Sequence, residues 1–275
     1  MLTGRKDGAV LEVIDKGSAT EAHPVPLLFV HGALGAAYSW DDHFLDFFAD
    51  NGYRAIAPSL RGHGGSSVSK PLNKCTIADY VDDVRSVAAT LPATPVLIGH
   101  SMGGFIVQKY LETGTAPAAG LVSSAPPRSW FVTSMRLARK HPWLGAKATM
   151  TRKYLGLYPT QAHVREMFFC AHTPEPIVEE CFTRLQKESQ EESYRALSVD
   201  MGLLNLVRPR RVTATPILVL EGADVGWGPR PAREIARAYH TEAEFFAKMG
   251  HCMQFEPGWQ AVAERIDGWL TGQGL

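Results

Sequence analysis

No stretch of this chain approaches the ~20 consecutive apolar residues that a bilayer-spanning helix needs, so stable membrane insertion is not expected. Met1 to Gly8 lack the apolar core of a secretory signal, which points to a cytoplasmic protein. An excess of either charge is also missing, since 28 basic residues balance 28 acidic ones. That balance removes the global field on which binding to nucleic acid or an anionic surface depends. Cysteine is scarce: Cys75, Cys170, Cys181 and Cys252 are scattered and read as free thiols in a reducing compartment. His163, Cys170, His172 and Cys181 fall at no compact zinc spacing, and neither G-x-G-x-x-G nor a P-loop occurs. No metal, nucleotide or redox cofactor is therefore expected.

What is present is an alternation of short apolar runs with longer amphipathic ones, the sequence form of a mainly parallel sheet covered by helices. The 275 residues suffice for one large α/β domain with an inserted cap, though length alone also permits two small domains. Leu27 to Val30, Arg54 to Ala57, Pro95 to Ile98, Gly120 to Val122, Pro216 to Leu220 and Glu244 to Phe246 read as strands. Thr76 caps a helix whose Ile77, Tyr80, Val81, Val84 and Val87 share one face, with acids in its first turn where the helix dipole favours them. The last helix runs from about Trp259 to Leu270. Between Arg128 and Thr215 no strand is evident, and this stretch, rich in large apolar residues, reads as a helical cap. Its first half is basic and its second acidic. Either these are solvated or mutually paired faces, or the basic half is an entrance that attracts anions.

The chemistry gathers at the ends of the strands. Gly99-His100-Ser101-Met102-Gly103 is G-x-S-x-G between a strand and a helix, a nucleophile elbow that leaves a serine hydroxyl standing at the mouth of a site. A serine needs a base, an acid to orient that base, and donors for the oxyanion. His251, in a turn after the last strand, is the candidate base, and Asp224, after the strand ending at Leu220, is the candidate acid. The oxyanion donors are expected to be the backbone amides of Ala33 and Met102. His31 is expected to brace the oxyanion loop, and His100 to pack beside the elbow. Cys252 is either an apolar filler or a reactive thiol.

These segments together resemble the α/β-hydrolase superfamily, in its capped, esterase- or lipase-like branch. The likeness rests on His31-Gly32, Arg61-Gly62-His63-Gly64, Gly99 to Gly104, Gly250-His251 and Glu256-Pro257, in an order that spans nearly the whole chain. The order serine, acid, histidine is the one such proteins use. The resemblance implies a mostly parallel eight-stranded sheet, shortened at its first hairpin, with residues 1–127 and 216–275 as core and 128–215 as cap. It also implies a serine hydrolase that cleaves a small to medium, largely apolar carboxylic ester. Alternatives on the same scaffold are carbon-carbon bond hydrolysis, perhydrolysis and acyl transfer, and beyond them a non-catalytic binding protein. Trp130, Trp143, Phe168 and Met201 either line the acyl pocket or form the cap's own core.

Two positions depart from the pattern. Ser59 stands where an aspartate often precedes the R-G-x-G turn. The acid motif G-x-x-D-x-x-x-P, laid on Gly222 and Pro229, places Val225 rather than Asp224 at the acid position. Either the loop shifts so that Asp224 turns inward, or the acid comes from elsewhere, or it is missing.

Overall fold

In the computed structural model of this chain, the residues described are 2–4, 10–128, 139, 142–151, 160–188, 206–212 and 214–275. Eight strands form one sheet in the order β1-β2-β4-β3-β5-β6-β7-β8. They are β1 (Leu2–Gly4), β2 (Val10–Lys16), β3 (Leu27–Val30), β4 (Ala55–Pro58), β5 (Val96–His100), β6 (Ala119–Val122), β7 (Ile217–Gly222) and β8 (Ala243–Phe246). The two junctions made by β2 are antiparallel and all others are parallel. Every residue of β3 to β7 is buried, as continuous apolar runs demand when helices cover both faces.

Nine helices are described: α1 (Tyr38–Asp41), α2 (Phe44–Asp50), α3 (Ile77–Ala88), α4 (Met102–Leu111), α5 (Pro142–Thr151), α6 (Gln161–Phe168), α7 (Glu175–Glu188), α8 (Arg230–Ala238) and α9 (Trp259–Gly272). On one face of the sheet, α3, α4 and α8 bury Val84, Phe105, Ile106 and Ile235 against Leu28, Leu97 and Val219. On the other, α2 and α9 bury Phe44, Phe48, Val262 and Ile266 against Phe29 and Leu220. Helix α3 starts where the acid-rich turn predicts. The Asp79 amide donates to Thr76 Oγ1 at 3.3 Å while the Thr76 amide donates to Asp79 Oδ2 at 2.8 Å, a closed capping box.

The chain leaves β3 to one side for β4 and returns on the other for β5, so the carboxyl ends of β3 and β5 diverge. A crevice opens at such a switch point. Over it lie α6 and α7, where Val164, Met167, Val178 and Leu185 pack on Leu34 and Cys252. The described residues between 128 and 215 contain α5, α6, α7 and the turn Pro209–Arg211. The Val207 amide donates to the Pro127 carbonyl at 3.1 Å, which brings the two ends of that stretch together. Among the described residues no helix is long and apolar enough to cross a membrane.

Candidate active site

Ser101 sits at φ 53°, ψ −116°, in the left-handed region that a side chain rarely occupies. Neighbouring packing imposes that strain. The Ser101 amide donates to the Val122 carbonyl at 3.1 Å and its carbonyl accepts from Ala125 at 3.1 Å, so β6 holds the turn from both sides. Gly103 lets α4 pass directly against β3, because a Cβ there would collide with the backbone carbonyl oxygens of Val30 and His31. The result projects the Ser101 hydroxyl from the end of β5 into the crevice.

His251 reaches it from the loop after β8. Its Nε2 stands 3.0 Å from Ser101 Oγ, within the reach a general base requires. Three contacts fix the loop. His100 Nε2 donates to the His251 carbonyl at 3.0 Å, the Gly250 amide donates to Glu256 Oε1 at 2.6 Å, and the Cys252 amide donates to the Phe168 carbonyl at 2.9 Å. Glu256 also accepts from the Cys170 amide at 3.1 Å and from Thr173 Oγ1 at 2.8 Å, tying the loop to the segment after α6. Around the imidazole stand Trp227, with ring centroids 4.6 Å apart, His100 at 4.7 Å and Phe168 at 5.7 Å. Burial, with His100 alongside, holds His251 well below the ordinary histidine range. It is therefore neutral near pH 7 and able to take a proton.

The two expected oxyanion donors belong to segments that adjoin Ser101. Met102 opens α4, and its amide is among those with no acceptor inside the helix. Ala33 follows Gly32, whose ideal Cβ position lies 3.0 Å from Ser101 Cβ, so this loop runs beside the nucleophile. His31 braces it: Nδ1 donates to the Gly32 carbonyl at 2.7 Å, and Nε2 accepts from the Leu60 amide at 2.9 Å. Both ring nitrogens are thereby committed to the neutral form. Burial, then His63, lowers its pKa to about 3, and burial lowers that of His100 to about 4.

The position expected of the acid is a correction. Asp224 does not meet His251: its side chain is exposed, whereas Val225 beside it is buried. The Asp224 amide donates to the Met249 carbonyl at 2.9 Å, which fixes the backbone so that residue 224 turns out and residue 225 turns in. Nδ1 of His251 is buried without a hydrogen-bond partner. Relative to G-x-x-D the chain is one residue short between Gly222 and Asp224, so Asp224 falls on the exposed side of the turn and Val225 on the buried side.

Of the expected pocket residues, Phe168 stands beside His251, while Trp143 on α5 is 78% exposed and faces solvent. Trp130 and Met201 lie outside the described residues. Trp227 was not legible beforehand, since it sits in a turn with no periodicity to mark its direction. Ser59 has a partner that the sequence did not announce. Its hydroxyl donates to Glu12 Oε2 at 2.6 Å and accepts from the Ala37 amide at 3.0 Å, and Glu12 Oε2 also accepts from the Gly65 amide at 3.1 Å. A glutamate on β2 thus braces this turn in place of the missing aspartate. Arg61 is anchored separately on Asp83, with Nη2 to Oδ1 at 2.8 Å. The neighbouring Cys181 thiol and burial push Cys252 well above the ordinary thiol range, so it is a packing residue and no thiolate.

Buried neutral histidines make stability depend on pH. His31, His63, His100 and His251 all have folded values depressed below that of the unfolded chain. Their contribution is present above about pH 6.5 and is lost as pH falls, because only the unfolded chain then takes up the protons. Glu221 works in the opposite sense, since burial raises its carboxyl to about 8 and lowering the pH favours its folded form. Four groups oppose one. The unfolding free energy, measured in denaturant by tryptophan fluorescence, should fall by roughly 2–5 kcal/mol between pH 7 and pH 5.

A model of the family described as "Alpha/beta hydrolase family" matches residues 27–265. A non-heme chloroperoxidase from Streptomyces lividans is 39% identical over 107 residues, a stretch spanning 38% of this chain and 38% of that protein. The match thus covers well under half the length of this curated relative. Among solved structures, a thermophilic esterase from Thermogutta terrifontis superposes with a TM-score of 0.76 at 21% identity, covering 98% of this chain and 97% of that one. An esterase from Exiguobacterium antarcticum gives 0.74 at 18% identity, with 98% of each chain covered. At such identities the likeness is one of fold.

Proposed function

We propose that this chain, which belongs to the alpha/beta hydrolase family, is a serine hydrolase that cleaves small to medium, largely apolar carboxylic esters through an acyl-enzyme. One observation carries the reading: a serine hydroxyl on a strained elbow lies 3.0 Å from the Nε2 of a buried histidine. Ser101 Oγ attacks the ester carbonyl while His251 takes its proton. The Ala33 and Met102 amides hold the oxyanion, and His251 returns the proton to the departing alcohol. Water, deprotonated by the same histidine, then releases the acid and restores Ser101. Residues 128–215 act as a helical cap that, with Phe168 and Trp227 near the histidine, gives the acyl group an apolar surface. Nothing in this sequence of steps calls for a cofactor.

A second reading keeps the acyl-enzyme and changes the molecule that attacks it. Hydrogen peroxide in place of water yields a peracid, and the name of the chloroperoxidase relative favours this use of the site. A chain-length series of p-nitrophenyl esters, run with and without peroxide, tests both readings, with labelling by a fluorophosphonate probe in parallel. The expected result is labelling at Ser101 and highest kcat/KM on short to medium acyl chains. Absence of both labelling and turnover overturns the reading, and peracid formed in preference to free acid selects the second.

A further inference from the structure

His251 has no acid behind it: its Nδ1 is buried without a hydrogen-bond partner, and Asp224 is exposed. In a serine, histidine, acid triad the carboxylate on Nδ1 holds the imidazole in the orientation that the nucleophile needs. Here Nε2 stands 3.0 Å from Ser101 Oγ without that support, so the loop that carries the histidine is held by other groups.

His100, the residue between Gly99 and the nucleophile, is the one that links the two. It ends β5 and is buried. Its Nε2 donates to the His251 carbonyl at 3.0 Å, and the two rings lie 4.7 Å apart, centroid to centroid. Its Nδ1 lies 2.9 Å from where a Cβ on Gly32 would stand, so the same ring rests against the loop that leads to the Ala33 amide. Across the peptide that joins His251 to Cys252, the Cys252 amide donates to the Phe168 carbonyl at 2.9 Å. That peptide is gripped at its carbonyl from the elbow and at its amide from the end of α6.

The bond from the elbow requires one tautomer. A carbonyl only accepts, so His100 Nε2 carries the ring proton and Nδ1 is left as an acceptor. Gln254 Nε2, on a buried side chain 3.4 Å from that Nδ1, is the donor that matches it. Burial lowers the pKa of His100 to about 4, so the ring is neutral near pH 7 and keeps both roles. Donation therefore runs from Gln254 to His100 and from His100 to the backbone of His251.

Resting on the serine-hydrolase reading above, we infer that His100 is a positioning residue for His251: by holding the His251 carbonyl it sets the spacing of base and nucleophile without a carboxylate on Nδ1, and Gln254 fixes the tautomer that makes this possible. No bond is made or broken at either residue. The link is short, since His100 and Ser101 share a peptide and one side chain with one hydrogen bond spans the rest. Without it the His251 loop keeps its ties to Glu256 and Phe168 and loses its tie to the strand that presents the serine.

The test compares His100→Leu and His100→Gln with the wild type on one p-nitrophenyl ester, with the rate of fluorophosphonate labelling of Ser101 measured in each. His100→Leu removes the donor at similar volume, and should lower kcat about 10- to 100-fold with KM within threefold, as a small misplacement of catalytic groups does. Glutamine carries an amide nitrogen as many bonds from Cβ as imidazole Nε2, so His100→Gln should recover at least fivefold of that loss. A loss smaller than tenfold in His100→Leu, a loss that falls on KM instead of kcat, or a smaller recovery in His100→Gln overturns the inference. Should His100→Leu not fold, His100→Asn takes its place: its amide is one bond too short to reach the carbonyl, and a kcat less than fivefold below that of His100→Gln overturns the inference. In the wild type, long-range proton-nitrogen NMR should find the His100 proton on Nε2, and a proton on Nδ1 alone overturns it as well. If wild-type Ser101 takes no label and Ser101→Ala still turns over the ester, the hydrolase reading itself has failed, whatever His100 does.

Discussion

Ser101→Ala should lower kcat on a p-nitrophenyl ester by about 10⁴- to 10⁶-fold, with the fold and thermal midpoint little changed. The hydroxyl is one oxygen at the surface of a crevice, and the strain at φ 53° belongs to the backbone, which alanine shares. What is lost, on the proposed mechanism, is the covalent route. Water cannot replace the serine efficiently, because the 3.0 Å geometry to His251 is built around Oγ. Since the two side chains act on one proton, Ser101→Ala/His251→Ala should be no slower than either single variant. The residual rate would report what the Ala33 and Met102 amides and substrate binding contribute alone. Steady-state kinetics on the three variants checks this, and a double variant slower than both singles would show that the pair does not act as a unit.

Gly103→Ala is expected to damage both stability and catalysis. A Cβ at this position meets the carbonyl oxygens of Val30, the last residue of a fully buried strand, and of the buried His31 that follows it, and neither has room to rotate away. Overpacking of this kind costs ~1–3 kcal/mol, and rigid backbone partners put this case at the upper end. Relief comes only by moving α4 away from β3. That motion separates Met102, at the start of α4, from Ala33, in the loop after β3, so the proposed oxyanion donors would no longer converge. Loss of one such donor lowers kcat by about 10²- to 10³-fold. Denaturant unfolding and kcat measured on the same sample test the pair of effects. An alanine variant as stable and as active as wild type would mean that the helix and strand have room to spare.

Much of the architecture was legible because it is written locally. Apolar runs such as Leu27 to Val30 are strands whatever surrounds them, provided helices cover both faces. Thr76 and Asp79 name the start of α3 within four residues. The elbow is equally local: a serine two residues from each of Gly99 and Gly103, at the end of an apolar run, is constrained by its neighbours alone. His251 could be found by its place after the last strand.

Residues whose role depends on side-chain direction were not legible. Asp224 looked like the acid because its position along the chain was nearly right, yet a hydrogen bond from its amide to Met249 turns it outward. Trp143 looked like a pocket residue by type and stands in solvent. Glu221 passed as one more strand residue, since nothing in a linear pattern reports that a carboxyl is buried without a partner. Glu12 and Ser59, 47 residues apart, meet only because β2 pairs with β4.

The sequence by itself therefore determined six of the eight strands, the serine at its glycine elbow, and the family to which the chain belongs. These follow from short-range constraints, in which a few adjacent residues fix the backbone. Only the tertiary structure decided that Asp224 turns away from the histidine, because that depends on how a short loop closes against Met249. In such a loop one residue more or less exchanges an inward side chain for an outward one, and no local signal records the exchange.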